Sequence, residues 1–313
     1  MTRAFTFPGQ GSQAVGMGQS LAEASATARE VFQEIDEALG QNLSKLMFNG
    51  PEDQLTLTEN AQPALMAVSV AVMRILEKEG GINLADKARF VAGHSLGEYS
   101  ALAAAGSFSL ADTARLLKRR GQAMQRAVPV GQGAMAALLG VELDVAREIA
   151  ELASQGEVCT AANDNAPGQI VISGHRAAVE RAIEIGKEKG ARRSMLLPVS
   201  APFHCSLMAP AAEEMKEALA AVTITAPAVP LVANVIAAPV SDPDEIRRLL
   251  VEQVTGAVRW RECILYMVDQ GVTEVIELGA GKALTGMAKR IHKDLATTSA
   301  QTPDEIDALL KTL

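Results

Sequence analysis

The segment Val91-Ala92-Gly93-His94-Ser95-Leu96-Gly97-Glu98 sets a serine between two glycines directly after an apolar run. A Gly-x-Ser-x-Gly spacing in that position turns a strand sharply into a helix. The serine side chain then stands at the tip, and the following backbone N–H can face a developing oxyanion. Gly93 and Gly97 suit the turn because a Cβ at either position would crowd the backbone. The pattern also fits an ordinary strand-to-helix turn, so the rest of the chain has to decide whether Ser95 is a nucleophile.

With 313 residues the chain can bury a sizeable core, as one large domain or as a large domain with an insert, which argues against a small binding module. Hydrophobic residues at 48% and charged residues at 21% are those of a soluble globular protein, and no apolar run reaches membrane-spanning length. A net charge of −8 argues against general nucleic-acid binding, and 3% aromatics leave few platforms for stacking bases. The first eight residues lack the apolar segment and small-residue cleavage site of a secretory signal, so the expected location is cytoplasmic. Cys159, Cys205 and Cys263 are too few and scattered for a disulfide framework or zinc site; reduced thiols and no metal are expected.

The chain changes character near Pro129 and again near Pro198. Between them the pattern predicts strands at 133–139, 158–162, 169–173 and 194–199 and helices at 143–153 and 177–189. That order, β-α-β-β-α-β, is the ferredoxin-like arrangement. Outside it, strands at 4–7, 90–92, 231–234 and 274–278 alternate with long helical stretches, which implies a mainly parallel sheet covered on both faces. The expected architecture is an α/β-hydrolase-like large domain built from 1–128 and 199–313, carrying an inserted ferredoxin-like domain at 129–198. A cleft between the two is a natural site.

A nucleophilic serine needs a base, and there are four histidines. His94 adjoins Ser95, where neighbouring side chains diverge. His175 opens a helix, and His292 lies in a charged segment. His204 sits in Pro198-Val199-Ser200-Ala201-Pro202-Phe203-His204-Cys205, an irregular stretch where the chain re-enters the large domain. It is either the base or a loop histidine satisfied by its surroundings. Arg120 shares one face of a helix over 110–127 with Thr113, Leu116, Leu117, Met124 and Ala127, so it points inward. An inward guanidinium needs an anion, which is either a protein carboxylate or a carboxylate of the substrate. Gly9-Gln10-Gly11-Ser12-Gln13-Ala14 matches a relaxed dinucleotide fingerprint, but the second strand with its acidic residue does not follow. Such a Gly-rich turn can instead lend a backbone N–H to an oxyanion hole. Gly279-Ala280-Gly281-Lys282 lacks the spacing of a phosphate-binding loop.

Taken in order, several segments resemble the malonyl-CoA:acyl carrier protein transacylases, the malonyl loaders of bacterial type II fatty acid synthesis. They are Phe7 to Gln13, Gly93 to Tyr99, Arg120 to Gln125, Gly133 to Ala137, Asn163 to Gly168, and Phe203-His204. The resemblance spans almost the whole chain. It implies that Ser95 accepts the acyl group and that His204 is its base and later acid. It further implies that Gln10 and Leu96 supply oxyanion-hole N–H groups, that Arg120 holds the malonyl carboxylate, and that the main-chain carbonyl of Gln253 orients the histidine in place of an acid. The reaction implied is ping-pong transfer from malonyl-CoA to the phosphopantetheine thiol of an acyl carrier protein, for fatty acid biosynthesis. It uses no cofactor of the enzyme's own, no nucleic acid and no membrane; a monomer is the simplest assembly. Phe203 is in keeping with malonyl over methylmalonyl, since its bulk would crowd an α-methyl group. Arg192, Arg193, Lys289 and Arg290 are candidates for a basic rim that receives an acidic carrier. Three rival readings exist: a serine thioesterase or other hydrolase, which would ordinarily supply a triad acid and has no need of Arg120; a trans-acting polyketide acyltransferase; and a non-catalytic docking module.

Overall fold

Ten strands organise the chain: β1 (Arg3–Phe7), β2 (Phe90–Gly93), β3 (Gly133–Leu139), β4 (Cys159–Ala166), β5 (Gln169–His175), β6 (Arg193–Leu196), β7 (Leu231–Ala233), β8 (Ala238–Val240), β9 (Glu274–Leu278) and β10 (Ala296–Ala300). In the computed structural model, which describes residues 1–313, they form two sheets. The larger has the order β10-β9-β1-β2-β7-β8, with every neighbouring pair parallel except β7 with β8.

Side chains alternate across a strand, so a continuous apolar strand needs cover on both faces. Phe5, Phe7, Val91, Leu231 and Ile276 enter a core on one face of the larger sheet. Their neighbours Ala4, Phe90, Ala92, Val232 and Val275 enter a second core on the other. The first core is built round the helix Thr58–Lys78, buried along most of its length, and the second round the helix Trp260–Asp269.

The smaller sheet has the order β4-β5-β3-β6 and is antiparallel throughout. The helices Leu143–Ser154 and Arg176–Glu188 bury Ile149, Val179 and Ala182 with Leu138, Ile170 and Ile172 of the sheet. This is the β-α-β-β-α-β arrangement expected from the pattern.

Several strand ends depart from expectation: β1 begins one residue earlier at Arg3, β2 runs one further to Gly93 and β5 two further to His175, and three other ends bear on the site. β4 continues to Ala166 through two irregularities in its pairing with β5. Its added residues reach the larger unit: Asp164 N–H donates to Val258 O at 2.9 Å, Val258 N–H donates to Ala162 O at 2.8 Å, and Arg261 Nε donates to Asp164 Oδ2 at 2.9 Å. β6 stops at Leu196, because Pro198 has no N–H and Val199 N–H turns back onto Leu197 O. β7 stops at Ala233, since the backbone of the next residue, Asn234, leaves the ladder: its N–H donates to Glu98 Oε1 and its carbonyl accepts from Arg259 N–H. Two further strands, β8 and β10, lie at the sheet edges, where Pro239 and the polar Thr297-Thr298-Ser299 are tolerated. No helix is long and apolar enough to cross a membrane.

Candidate active site

β2 ends at Gly93, and the helix Gly97–Ala104 begins two residues after Ser95. Ser95 stands between them at φ 53°, the left-handed region that a residue with a Cβ occupies at a cost of about 1–3 kcal/mol. Hydrogen bonds hold the strain: Ser95 N–H donates to Asn234 Oδ1 at 2.8 Å, Asn234 Nδ2 donates to Gly93 O at 2.8 Å, and Gln253 Nε2 donates to Ser95 O at 2.9 Å. A Cβ on Gly93 would lie 1.9 Å from the carbonyl carbon and oxygen of Gly97, and backbone cannot yield that much. Gly93→Ala is therefore expected to lower folding stability by about 3 kcal/mol or more, read as a fall in the urea midpoint. An unchanged midpoint would show that the turn does not need glycine there.

Ser95 Oγ lies 2.8 Å from Nε2 of His204. The other ring nitrogen, Nδ1, lies 2.9 Å from Gln253 O and 3.1 Å from Gly256 O. Both carbonyls are acceptors only, so the proton of a neutral ring sits on Nδ1 and Nε2 is left to accept the Ser95 hydroxyl proton. Burial, then the positive charge of Arg120, pushes the pKa of His204 down to about 3. His204, too, adopts a positive φ of 57°.

Arg120 is 1% exposed. Its Nη2 donates to Ser95 Oγ at 3.1 Å and to Gln253 Oε1 at 2.8 Å, and Nη1 donates to Gln62 Oε1 at 2.7 Å. The protein carboxylate allowed as one partner for an inward guanidinium is not in contact with it; neutral amides hold it, and Nε has no partner. The helix Leu110–Ala127 places it as the face pattern predicts, with Thr113, Leu116, Leu117 and Met124 buried beside it.

These groups line a cleft of about 490 Å³ together with Gln10, Leu96, Asn163 and Phe203. The Gln10 side chain accepts from Thr58 Oγ1 at 2.9 Å, and Thr58 accepts from Gln62 Nε2, which ties the Gly-rich turn to the cradle of Arg120. The backbone N–H groups of Gln10 and Leu96 make no hydrogen bond within the chain. His94 Nε2 donates to Asn165 Oδ1 at 2.8 Å and does not bond Ser95. His175 accepts from Val158 N–H, and neither it nor His292 lines the cleft. All three cysteines are buried and unbridged. No group of three or more His, Cys, Asp or Glu side chains is arranged to hold a metal ion.

Gln62, Glu98 and Asn234 were not singled out in the sequence, although each is buried in the network beneath Ser95. A signal existed for two of them. Gln62 interrupts the run Ala61 to Val68, and Asn234 follows the apolar Leu231-Val232-Ala233. A polar side chain in such a place needs a buried partner.

The chain is similar to known proteins over almost its whole length. A family described as acyl transferase domain matches residues 4–302. A protein of Bacillus subtilis (strain 168) described as malonyl CoA-acyl carrier protein transacylase is 45% identical over 311 residues, covering 99% of this chain and 96% of that protein. Its counterpart by description in Escherichia coli (strain K12) is 45% identical over 308 residues, 98% of each chain. Among solved structures, an acyl-carrier-protein-S-malonyltransferase from Bartonella henselae is 58% identical with a TM-score of 0.98, covering 100% of this chain and 99% of that one. A malonyl-transacylase in complex with a type II polyketide acyl carrier protein is 39% identical with a TM-score of 0.97 over 100% of both.

Proposed function

The chain belongs to the acyl transferase family and moves malonyl groups from malonyl-CoA to an acyl carrier protein, and we propose that it does so through a malonyl ester on Ser95. The observation that carries this reading is the position of Ser95 Oγ, 2.8 Å from His204 Nε2 and 3.1 Å from Arg120 Nη2. A base and a fixed cation thus meet at one hydroxyl. In malonyl-CoA the free carboxylate is separated from the thioester carbonyl by one methylene, so a cation beside the nucleophile is where that carboxylate falls.

Loading begins as Oγ attacks the thioester carbonyl carbon and its proton passes to His204 Nε2. The C–S bond then breaks, and the CoA sulfur takes that proton and leaves as the thiol. In the second half the phosphopantetheine thiol gives its proton to Nε2, its sulfur attacks the ester carbonyl, and the C–O bond breaks to return the proton to Ser95. Both tetrahedral intermediates place negative charge at one point. The unpaired N–H groups of Gln10 and Leu96 are the donors we assign to it, each worth about 100- to 1000-fold in rate. The carbonyls of Gln253 and Gly256 keep the imidazole in its working tautomer, so no acid is needed.

In this reading the cleft lies between the large domain and the 129–198 insert, and Phe203 lines it at 8% exposure. Its ring would crowd an α-methyl group, so malonyl-CoA is expected to be turned over faster than methylmalonyl-CoA in parallel assays; equal turnover would remove Phe203 as a selector. Arg193 pairs across β3 with Leu139, Leu139 pairs with Gln169, and Arg290 donates to Gln169 Oε1. The basic candidates at 192–193 and 289–290 thus gather at one end of the smaller sheet, where an acidic carrier would be attracted.

With His204 shifted down, the neutral base persists far below pH 6.5. Single-turnover acylation should therefore show no histidine limb between pH 5 and 8. Stability runs the other way: the unfolded chain binds a proton near pH 6.5 that the native ring refuses, so stability falls as pH drops from 6.5 toward 3. An acylation limb centred near pH 6.5 would mean that His204 titrates as if exposed.

The overall reading is tested by initial rates with malonyl-CoA and holo carrier protein varied together. Parallel double-reciprocal lines are expected from a covalent intermediate. Intersecting lines would require both substrates bound at once and would exclude it.

A further inference from the structure

Glu98 opens the helix after the elbow, yet it is 2% exposed and lies beneath Ser95 rather than in the cleft lining. Both of its oxygens receive hydrogen bonds: Oε1 from the backbone N–H of Asn234, and Oε2 from Gln253 Nε2 at 2.6 Å. Donors at both oxygens suit a carboxylate, since a protonated carboxyl would have to find an acceptor for its own O–H. Burial opposes that charge and raises the pKa of Glu98 to about 8, although the same two hydrogen bonds and the charge of Arg120 oppose the rise; in either protonation state the two oxygens face the Asn234 and Gln253 donors.

The Gln253 amide can stand only one way round in this setting. Its Nε2 faces Glu98 Oε2 and Ser95 O, both acceptors, and its Oε1 faces the Arg120 Nη2 donor. Asn234, gripped at its backbone by the same carboxylate, holds Ser95 N–H and Gly93 O with its side chain. We propose that Glu98 is a positioning residue that aims Arg120 at the acyl group, and so sets selectivity for a carboxylated acyl chain, by fixing the orientation of the Gln253 amide. The inference rests on Ser95 being the malonyl acceptor.

Glu98→Gln keeps the shape and removes one acceptor. Whichever way its amide turns, an N–H faces either the Asn234 N–H or Gln253 Nε2. Reversal of the Gln253 amide relieves the second clash, but it sets N–H against the guanidinium.

The test measures kcat/KM for Ser95 acylation by malonyl-CoA and by acetyl-CoA in a double-mutant cycle with Arg120→Ala. Glu98→Gln should lower the malonyl-to-acetyl ratio about tenfold in the wild-type background and less than about twofold when Arg120 is absent. Gln253→Met, which keeps the main-chain carbonyl on His204, should lower the ratio similarly and guards against a Glu98 variant that fails to fold. An equal fall for both acyl groups, or a ratio that changes as much without Arg120, gives Glu98 a merely structural role and overturns the inference. Wild-type protein that forms no ester on Ser95 overturns the reading of the site, and this inference with it.

Discussion

Replacing Ser95 with alanine is expected to lower malonyl transfer to the carrier by about 10⁵-fold or more, since a nucleophile that forms the covalent intermediate has no substitute in the cleft. His94, the adjacent side chain, is engaged with Asn165, and Cys205 is buried with its thiol on Pro202 O. The variant should fold: alanine has the same Cβ as serine at φ 53°, and the backbone bonds to Asn234 and Gln253 survive. Arg120 loses one acceptor but keeps Gln62 and Gln253. A purified Ser95→Ala protein with an unaltered urea midpoint and no transfer separates chemistry from folding. Transfer kept above about a tenth of wild type would mean that the acyl group never rests on Ser95.

Arg120→Ala is expected to divide two substrates rather than abolish activity. Each charge-assisted hydrogen bond from the guanidinium to a carboxylate is worth about 1.5–3 kcal/mol, so loss of a two-pronged contact should cost malonyl acylation about 10²- to 10³-fold or more. Acetyl-CoA has no carboxylate, and its acylation should fall less than about tenfold. Removing a fully buried side chain also leaves a cavity and strands the Gln62 and Gln253 acceptors, so some stability will be lost. Arg120→Lys resolves that ambiguity: it keeps the charge but not the fork, and should fall between wild type and alanine for malonyl alone. An equal loss for both acyl groups would assign Arg120 to structure.

What could be read from the chain, and what could not, follows from the range of the interactions. β3 and β9 are short apolar segments between turn residues, and their ends match the pattern reading. β10 is Ala296-Thr297-Thr298-Ser299-Ala300, with too few apolar residues to announce a strand; its edge position, paired with β9 on one side only, makes that composition workable. The extension of β4 through Asn163-Asp164-Asn165 is hidden for a similar reason: Asp164 bonds Val258 O through its N–H and Arg261 through Oδ2, and Asn165 bonds His94, while Asn163 Oδ1 is buried without a partner. At the site, the elbow is a local motif, and the inward face of Arg120 is a helical period. The amide network is neither. Asn234 reaches Ser95 across 139 residues and Gln253 reaches Glu98 across 155, and no local spacing encodes such pairs. The neutral cradle of Arg120 is the physical lesson: a carboxylate partner would have cancelled the charge, whereas Gln62 and Gln253 orient the guanidinium and leave its charge for a ligand.

The central claim is that Ser95 carries the malonyl group between two thiols. Intact-mass measurement after incubation with malonyl-CoA alone, with peptide mapping and a chase by holo carrier protein, addresses it directly. The account predicts one malonyl group per chain, located on Ser95, with stoichiometric CoA release and full discharge to the carrier. Continued CoA release without an adduct would contradict it and favour a hydrolase, and an adduct on Ser95 that the carrier cannot discharge would contradict it as well.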